Sequence, residues 1–298
     1  MQGPVALIVN AGSGSGRALP LPGAEAVRAA FERAAIAVEL HGCGPGEDLA
    51  ALIDRALASR PRALVAAGGD GTVNAVAEAA IAQDLPLGIV PLGTLNHFAR
   101  DLGIEDDIDA AVAVIAAGRE QRVDVAAANG RLFLNNASIG LYATIVVERE
   151  RQQRRLGRGK WSALLRATLA ALRDPEAFEV VVEVEGRELR RRTAFLFVGN
   201  NDYDLQGAGA GSRARLDDGL LSIYVLHPRT ATGLLWLALR TLLCGVAGAR
   251  DLDAFAATAL ELHARDGRLQ VARDGEVGTL ASPVRFEVRP RALRVYAP

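Results

Sequence analysis

The chain has 298 residues, half of them hydrophobic and 23% charged, and its 34 Lys and Arg against 35 Asp and Glu leave a formal net charge of −1. That length holds one large domain or two medium ones, each with a core, and so even a charge balance excludes a global electrostatic hold on nucleic acid. The two cysteines, Cys43 and Cys244, lie far apart with no CxxC and no Cys/His cluster at metal spacing, which reads as two reduced thiols.

In chain order, residues 5–10 form a short apolar run that ends in a Gly-rich turn, the pattern of a buried parallel strand. A helix is expected over 24–35, a strand over 37–41, a helix over 48–59, a strand over 63–67, a helix over 73–82 and a strand over 87–91. This βαβα rhythm predicts a parallel sheet covered by helices on both faces. After about residue 120 the rhythm changes. Asn129-Gly130 between apolar runs at 123–127 and 132–136 is a strong hairpin signal, and Glu185-Gly186 between 178–184 and 188–198 is a second. Further short strands are expected at 220–226, 259–262, 269–272, 284–288 and 293–296, with helices at 142–172 and 230–247. The second part reads as mostly antiparallel β, a sandwich or similar. The opening Met1-Gln2-Gly3-Pro4 has no basic leader pattern, and the apolar stretch 233–248 is broken by Arg240 and falls short of the roughly 20 residues of a membrane span. The expectation is a cytoplasmic protein without a transmembrane segment.

Four segments are candidates for chemistry, and a fifth is a weaker one. Gly68-Gly69-Asp70-Gly71-Thr72-Val73-Asn74 joins a predicted strand to a predicted helix, where glycines let the backbone close on a ligand and helix N-terminal amides face an anion. Asp70 would repel a triphosphate unless Mg²⁺ or a donor network intervenes. Pro91-Leu92-Gly93-Thr94-Leu95-Asn96 ends a neighbouring strand, so Thr94 and Asn96 are candidates for the same site, although either is also a common helix cap. Asp217-Asp218-Gly219-Leu220 is ordinarily a turn, or else a carboxylate and backbone carbonyls suited to Mg²⁺. Arg273-Asp274-Gly275-Glu276 is also a turn signal, with two carboxylates placed to serve as general base and orienting partner. Asn10-Ala11-Gly12-Ser13-Gly14-Ser15-Gly16 has GxGxG spacing, which departs from the dinucleotide GxGxxG, and no Walker A motif, Ser-nucleophile elbow or HExxH occurs.

Together, Gly68-Gly69-Asp70-Gly71-Thr72, Gly93-Thr94-Leu95-Asn96, Asp218-Gly219-Leu220 and Asp274-Gly275-Glu276 resemble, in order and spacing, the diacylglycerol kinase catalytic family, which includes bacterial lipid kinases and the sphingosine and ceramide kinases. Asn135-Asn136-Ala137-Ser138-Ile139-Gly140 and Val198-Gly199-Asn200-Asn201 resemble further family segments. The resemblance implies an α/β N-terminal nucleotide-binding domain with a parallel sheet (NAD kinase/phosphofructokinase-like) over 1–125, then a mostly antiparallel β-sandwich lipid-substrate domain over 126–289, with a final strand at 290–298 returning to the first. It implies ATP binding by Gly68, Gly69, Asp70, Gly71, Thr72, Val73, Asn74 and Thr94; Asn10 and Gly12 of the Gly-rich loop and Asn96 are further candidates for the nucleotide phosphates. It further implies Mg²⁺ held by the Asp218 side chain and the carbonyls of Arg215 and Leu220, and Asp274 as general base with Glu276 beside it.

Two departures stand out: His97 occupies the position of the usual Asp of a GTxND motif, and His41-Gly42 stands where relatives carry a nucleotide-contacting Thr. The expected activity is ATP-dependent phosphorylation of a diacylglycerol-like lipid at a membrane surface, by a cytoplasmic protein with peripheral membrane contact. A homodimer is left open and no nucleic-acid partner is expected. The basic cluster Arg149, Arg151, Arg154, Arg155, Arg158 and Lys160 before Trp161 reads equally as an anionic-bilayer contact or a solvated helix face. NAD kinase and a catalytically silent nucleotide- or lipid-binding regulator are the alternatives.

Overall fold

The computed structural model describes residues 3–10, 22–43, 48–140, 178–184, 187–193, 195–203, 212–226, 252–264 and 267–298. The expected helices at 142–172 and 230–247, the basic cluster, Cys244, Gly12 and the turn at 185–186 lie outside the described residues. The chain divides into two compact units, residues 1–125 with 290–298, and residues 126–289.

The first unit contains β1 (Val5–Asn10), α1 (Pro22–Arg33), β2 (Val38–Cys43), α2 (Leu49–Ala58), β3 (Ala63–Gly68), α3 (Asp70–Ala82), β4 (Leu87–Pro91), α4 (His97–Asp101) and α5 (Ile108–Ala117). Then β5 (Glu120–Ala128) runs on into the second unit. The sheet order is β2-β1-β3-β4, all parallel. β1 and β3 are buried along their whole length or nearly so, as strands covered on two faces must be. From β1 the chain steps to β2 on one side, and from β2 it crosses to β3 on the other. Right-handed crossovers therefore send α1 and α2 to opposite faces. Side-chain caps start two helices: Asp48 accepts from the Ala50 amide at 3.2 Å, and Asp107 from the Ala110 amide at 2.8 Å. Gly118, at φ +65°, ends α5 in the left-handed conformation that glycine tolerates.

The second unit contains β6 (Arg131–Phe133), β7 (Asn136–Gly140), β8 (Phe178–Val184), β9 (Arg187–Thr193), β10 (Phe195–Asn200), β11 (Leu221–Leu226), β12 (Leu252–Ala257), β13 (Ala259–His263), β14 (Arg268–Arg273) and β15 (Glu276–Ala281). It also holds the first part of β16 (Val284–Tyr296). One antiparallel sheet runs β12-β11-β10-β7-β14-β15, and a second pairs β16, β13, β8 and β9. The core draws on both: Ile139, Leu196, Val198, Ile223 and Val271 from the first, Val180, Leu260, Leu262 and Phe286 from the second. Phe133 meets Phe286 edge-on, ring centroids 6.2 Å apart. The expected fold class, a parallel α/β unit followed by an antiparallel sandwich, is borne out.

Several boundaries differ from the sequence reading. The strands expected at 284–288 and 293–296 are one strand, β16, continuous through Pro290, with Arg291 at φ +51°. The Arg291 amide donates to the fully buried Asp124 carboxylate at 2.7 Å, which holds that left-handed residue in place. The strand expected over 188–198 is two, β9 and β10. Helix α5 and strands β12 and β15 were not anticipated. The helix expected from 73 starts at Asp70, inside the glycine motif.

The end of β16 pairs in parallel with β4 through Val295 and Leu87, within the first unit. There Arg294 donates two hydrogen bonds to Glu120, at 2.7 and 3.0 Å. Burial, with Glu120 adding, raises the Tyr296 phenol above its ordinary value, and burial with Asp202 raises that of Tyr224. Both folded-state values lie above the unfolded one near about 10. The neutral phenols therefore contribute stability that is fully present below that pH and is lost as pH climbs through the folded-state values. The urea midpoint should fall as pH rises above about 10, and Tyr296→Phe should flatten that fall; an unchanged slope in the variant would refute it.

Candidate active site

The order β2-β1-β3-β4 reverses direction between β1 and β3, and ligands of open α/β sheets bind outside the carboxyl ends of the strands at such a point. Asn10 ends β1 and Gly68 ends β3. The Asn10 Nδ2 donates to Thr72 Oγ1 at 3.1 Å and ties the end of β1 to the first turn of α3, just past β3. α3 begins directly after, with Gly69 as its N-cap, a residue that has no side chain to cap with. Its opening amides thus form the kind of terminus that favours an anion.

Backbone crowding explains the glycines. A Cβ on Gly68 would stand 2.6 Å from Thr72 Oγ1, and one on Gly93 would stand 2.6 Å from the Gly69 Cα. The Leu92 amide donates to the Gly68 carbonyl at 3.0 Å. The two motif loops are therefore packed main chain on main chain. Thr72, expected among the ATP-binding residues, is 1% exposed and accepts from Asn10, and Val73 is buried in the core. Asp70 and Gly71 are half-buried at the start of α3, Asn74 is half-buried one turn on, and Thr94 is exposed.

Asn96 is internal. At φ +48° and 5% exposed, its Oδ1 accepts from the Gly93 amide, and its Nδ2 donates to the Gly93 carbonyl and to Asp106 at 2.9 Å. It shapes the turn that presents Thr94. Asp106, ten residues on, supplies the carboxylate at a turn whose own motif has His97 in the acidic position, and His97 itself is exposed at the start of α4.

In the second unit, Asp274 and Gly275 take φ +45° and +86° between β14 and β15, a tight two-residue hairpin turn. The Asp274 carboxylate reaches across to Leu134–Asn136. Its Oδ2 accepts from the Leu134 amide at 2.7 Å, and its Oδ1 accepts from the Asn135 and Asn136 amides at 2.9 Å each. Its own amide donates to the Asn136 carbonyl at 2.9 Å. Glu276 is exposed at the start of β15. The Asp218 amide donates to Asn201 Oδ1 at 3.0 Å, and the Leu220 carbonyl accepts from the Asn201 amide at 2.9 Å.

One carboxylate with the carbonyls of Arg215 and Leu220 is an all-oxygen donor set of the right hardness for Mg²⁺, which keeps several waters. The set fits in kind, but no cluster of three or more His, Cys, Asp or Glu occurs among the described residues. Arg215 Nε lies 3.3 Å from Asp218 Oδ1, and its guanidinium donates to Asp217 at 3.0 Å. That mostly exposed arginine competes for the charge a cation would use. The residues missed by the sequence reading are Arg213 and Asp106. The legible signals near them were the Asn-Asn pairs 135–136 and 200–201, each at a strand end.

The model of the diacylglycerol kinase catalytic domain matches residues 4–128, and that of the YegS C-terminal NAD kinase beta sandwich-like domain matches residues 135–297. The chain belongs to this family. A probable lipid kinase YegS-like protein of Pseudomonas aeruginosa is 34% identical over 255 residues, which is 84% of this chain and 82% of that one. Another of the same description, from Pseudomonas fluorescens, is 31% identical over 281 residues, 92% of this chain and 91% of its own. The solved structure of a diacylglycerol kinase from Bacillus anthracis str. Sterne shares the fold with a TM-score of 0.69 at 23% identity, covering 99% of this chain and 97% of that one. The family resemblance carried by the four motifs is thus borne out. No helix among the described residues is long and apolar enough to cross a membrane.

Two outcomes follow from this geometry. Gly93→Ala forces apart two packed backbones, so it should lower stability by about 1–3 kcal/mol and weaken nucleotide binding, read by thermal melts with and without ATP. A melt matching wild type would contradict the close packing. Arg215→Ala removes a competing cation and should tighten Mg²⁺ binding by roughly two- to fivefold, measured by calorimetry, whereas Asp218→Asn should abolish it.

Proposed function

We propose that this protein is an ATP-dependent lipid kinase that moves the γ-phosphoryl group of ATP to the hydroxyl of a diacylglycerol-like lipid. The observation that carries the reading is the glycine turn of the first unit: a helix N-terminus at the strand-order switch, where Gly68 and Gly93 let two loops pack closely. Family membership supports the same chemistry.

Phosphoryl transfer has a loose transition state, so positioning and charge neutralisation do most of the work. The main chain of the Gly69–Gly71 turn would hold the phosphates, Asn10 and Asn96 would keep their loops in shape, and Thr94 would reach the nucleotide. Asp218 with the carbonyls of Arg215 and Leu220 would hold Mg²⁺, which when bound supplies positive charge for the phosphoryl oxygens. Asp274 would accept the proton of the lipid hydroxyl late in the reaction. Its three amide donors support that role by fixing where the carboxylate sits. Glu276 stands beside it on the same turn. The substrate would be met at a membrane surface.

The assay that tests the reading measures ATP consumption with Mg²⁺ against a lipid panel in mixed micelles, with NAD as a control acceptor. Phosphorylation of a lipid is expected, and turnover of NAD alone would replace the reading with NAD kinase. Asp274→Asn should keep an oxygen acceptor for two of the three amides yet lose about 10²- to 10⁴-fold in kcat. Asp274→Ala should lose as much activity and also melt lower, because each orphaned donor costs about 1–3 kcal/mol. Wild-type turnover in Asp274→Asn would remove the base assignment.

A further inference from the structure

The second unit buries a guanidinium. Arg213 is 4% exposed. Its Nη1 donates to the Leu134 carbonyl at 2.7 Å and to the Asn200 carbonyl at 3.1 Å. Its Nη2 donates to Asn135 Oδ1 at 2.6 Å, and its Cζ lies 5.5 Å from the centre of the Tyr203 ring. Burying a charge is costly unless hydrogen bonds and opposite charge compensate it, so the position calls for a reason beyond packing.

The reason lies in what these bonds grip. Asp274 takes the amides of Leu134, Asn135 and Asn136. Arg213 and the Asn200 Nδ2 take the Leu134 carbonyl, the Asn200 amide takes that of Asn135, and the Asp274 amide takes that of Asn136. All six main-chain polar groups of the tripeptide are held, with a carboxylate on one side and a guanidinium on the other. The bonds continue past Asn200: the Asn201 amide donates to Leu220 and its Oδ1 accepts from Asp218. Arg213 itself lies two residues before Arg215, in the segment that leads to Asp218. No lysine could replace this, since a planar fork reaches three acceptors at once where an ammonium is a point donor.

We propose that Arg213 is a positioning residue that fixes the Asp274 seat and the Asp218 loop to each other, so that the two keep one spacing. It touches neither substrate nor metal. Its effect on turnover rests on the lipid-kinase reading; its effect on the two loops does not.

The test uses the full chain with Arg213→Lys and, as a milder cut, Asn135→Ala, which removes one of the acceptors. Backbone hydrogen exchange is read at Leu134–Asn136 and at Asp218, beside kcat and KM for ATP. In whichever variant folds, exchange should quicken roughly tenfold at both places together. The value of kcat should fall about 100-fold, with KM for ATP unchanged. Faster exchange at Leu134–Asn136 alone would overturn the coupling, as would a loss expressed wholly in KM, or two variants that do not fold. Absence of lipid phosphorylation by the wild-type protein would remove the kinase reading and leave the exchange result to decide the coupling.

Discussion

Three consecutive amides, those of Leu134, Asn135 and Asn136, converge on one carboxylate. Backbone donors that are not used in a strand must find an acceptor or cost free energy. The break between β6 and β7 leaves Leu134 and Asn135 between strands, and Asp274 takes their amides, with that of Asn136 at the start of β7, from a turn about half the chain away. The positive φ of Asp274 follows from the same need, since the hairpin must aim its first turn residue back at β7. Once the tripeptide is pinned, β7 is placed to pair with both β10 and β14, at the middle of its sheet.

The first unit depends on a constraint of the opposite kind, an absence of side chains. Gly68, Gly69 and Gly93 allow two loops to touch through their backbones, and one methyl group at Gly93 would meet a Cα at 2.6 Å. The polar side chains nearby are spent on shaping these loops: Asn96 spans its own turn and reaches Asp106, and Asn10 ties β1 to α3.

The alternation of apolar runs and Gly-rich turns made the parallel unit legible, because a buried strand has to be apolar and a strand-to-helix turn has to be tight. The Asn129-Gly130 and Asp274-Gly275 turns were legible for the same local reason. What escaped was whatever depends on distant partners. Nothing near Arg213 signals that it will be buried, since its acceptors lie on Leu134, Asn135 and Asn200. The unity of β16 was hidden by Pro290, which ends strands in the interior of sheets but is tolerated where its missing donor goes unused. Asn96 read as a candidate ligand contact, and its internal bonds, to Gly93 and to Asp106, were not legible because they close only once the turn has formed. Asp274 was legible as a residue of interest through the family motif, but its amide nest was not, for it joins positions 138–140 residues apart.

The return of β16 to the first unit bears on how the protein is made. On the ribosome, β4 emerges long before Val295, the residue of β16 that pairs with its Leu87. At synthesis rates of about 5–20 residues per second, that leaves β4 as an open edge for roughly 10–40 s. An apolar strand with unsatisfied amides is a template for other chains during that interval. The nascent protein is therefore most exposed to misassembly while its sandwich is being built, and a chaperone that shields one strand edge would guard the step.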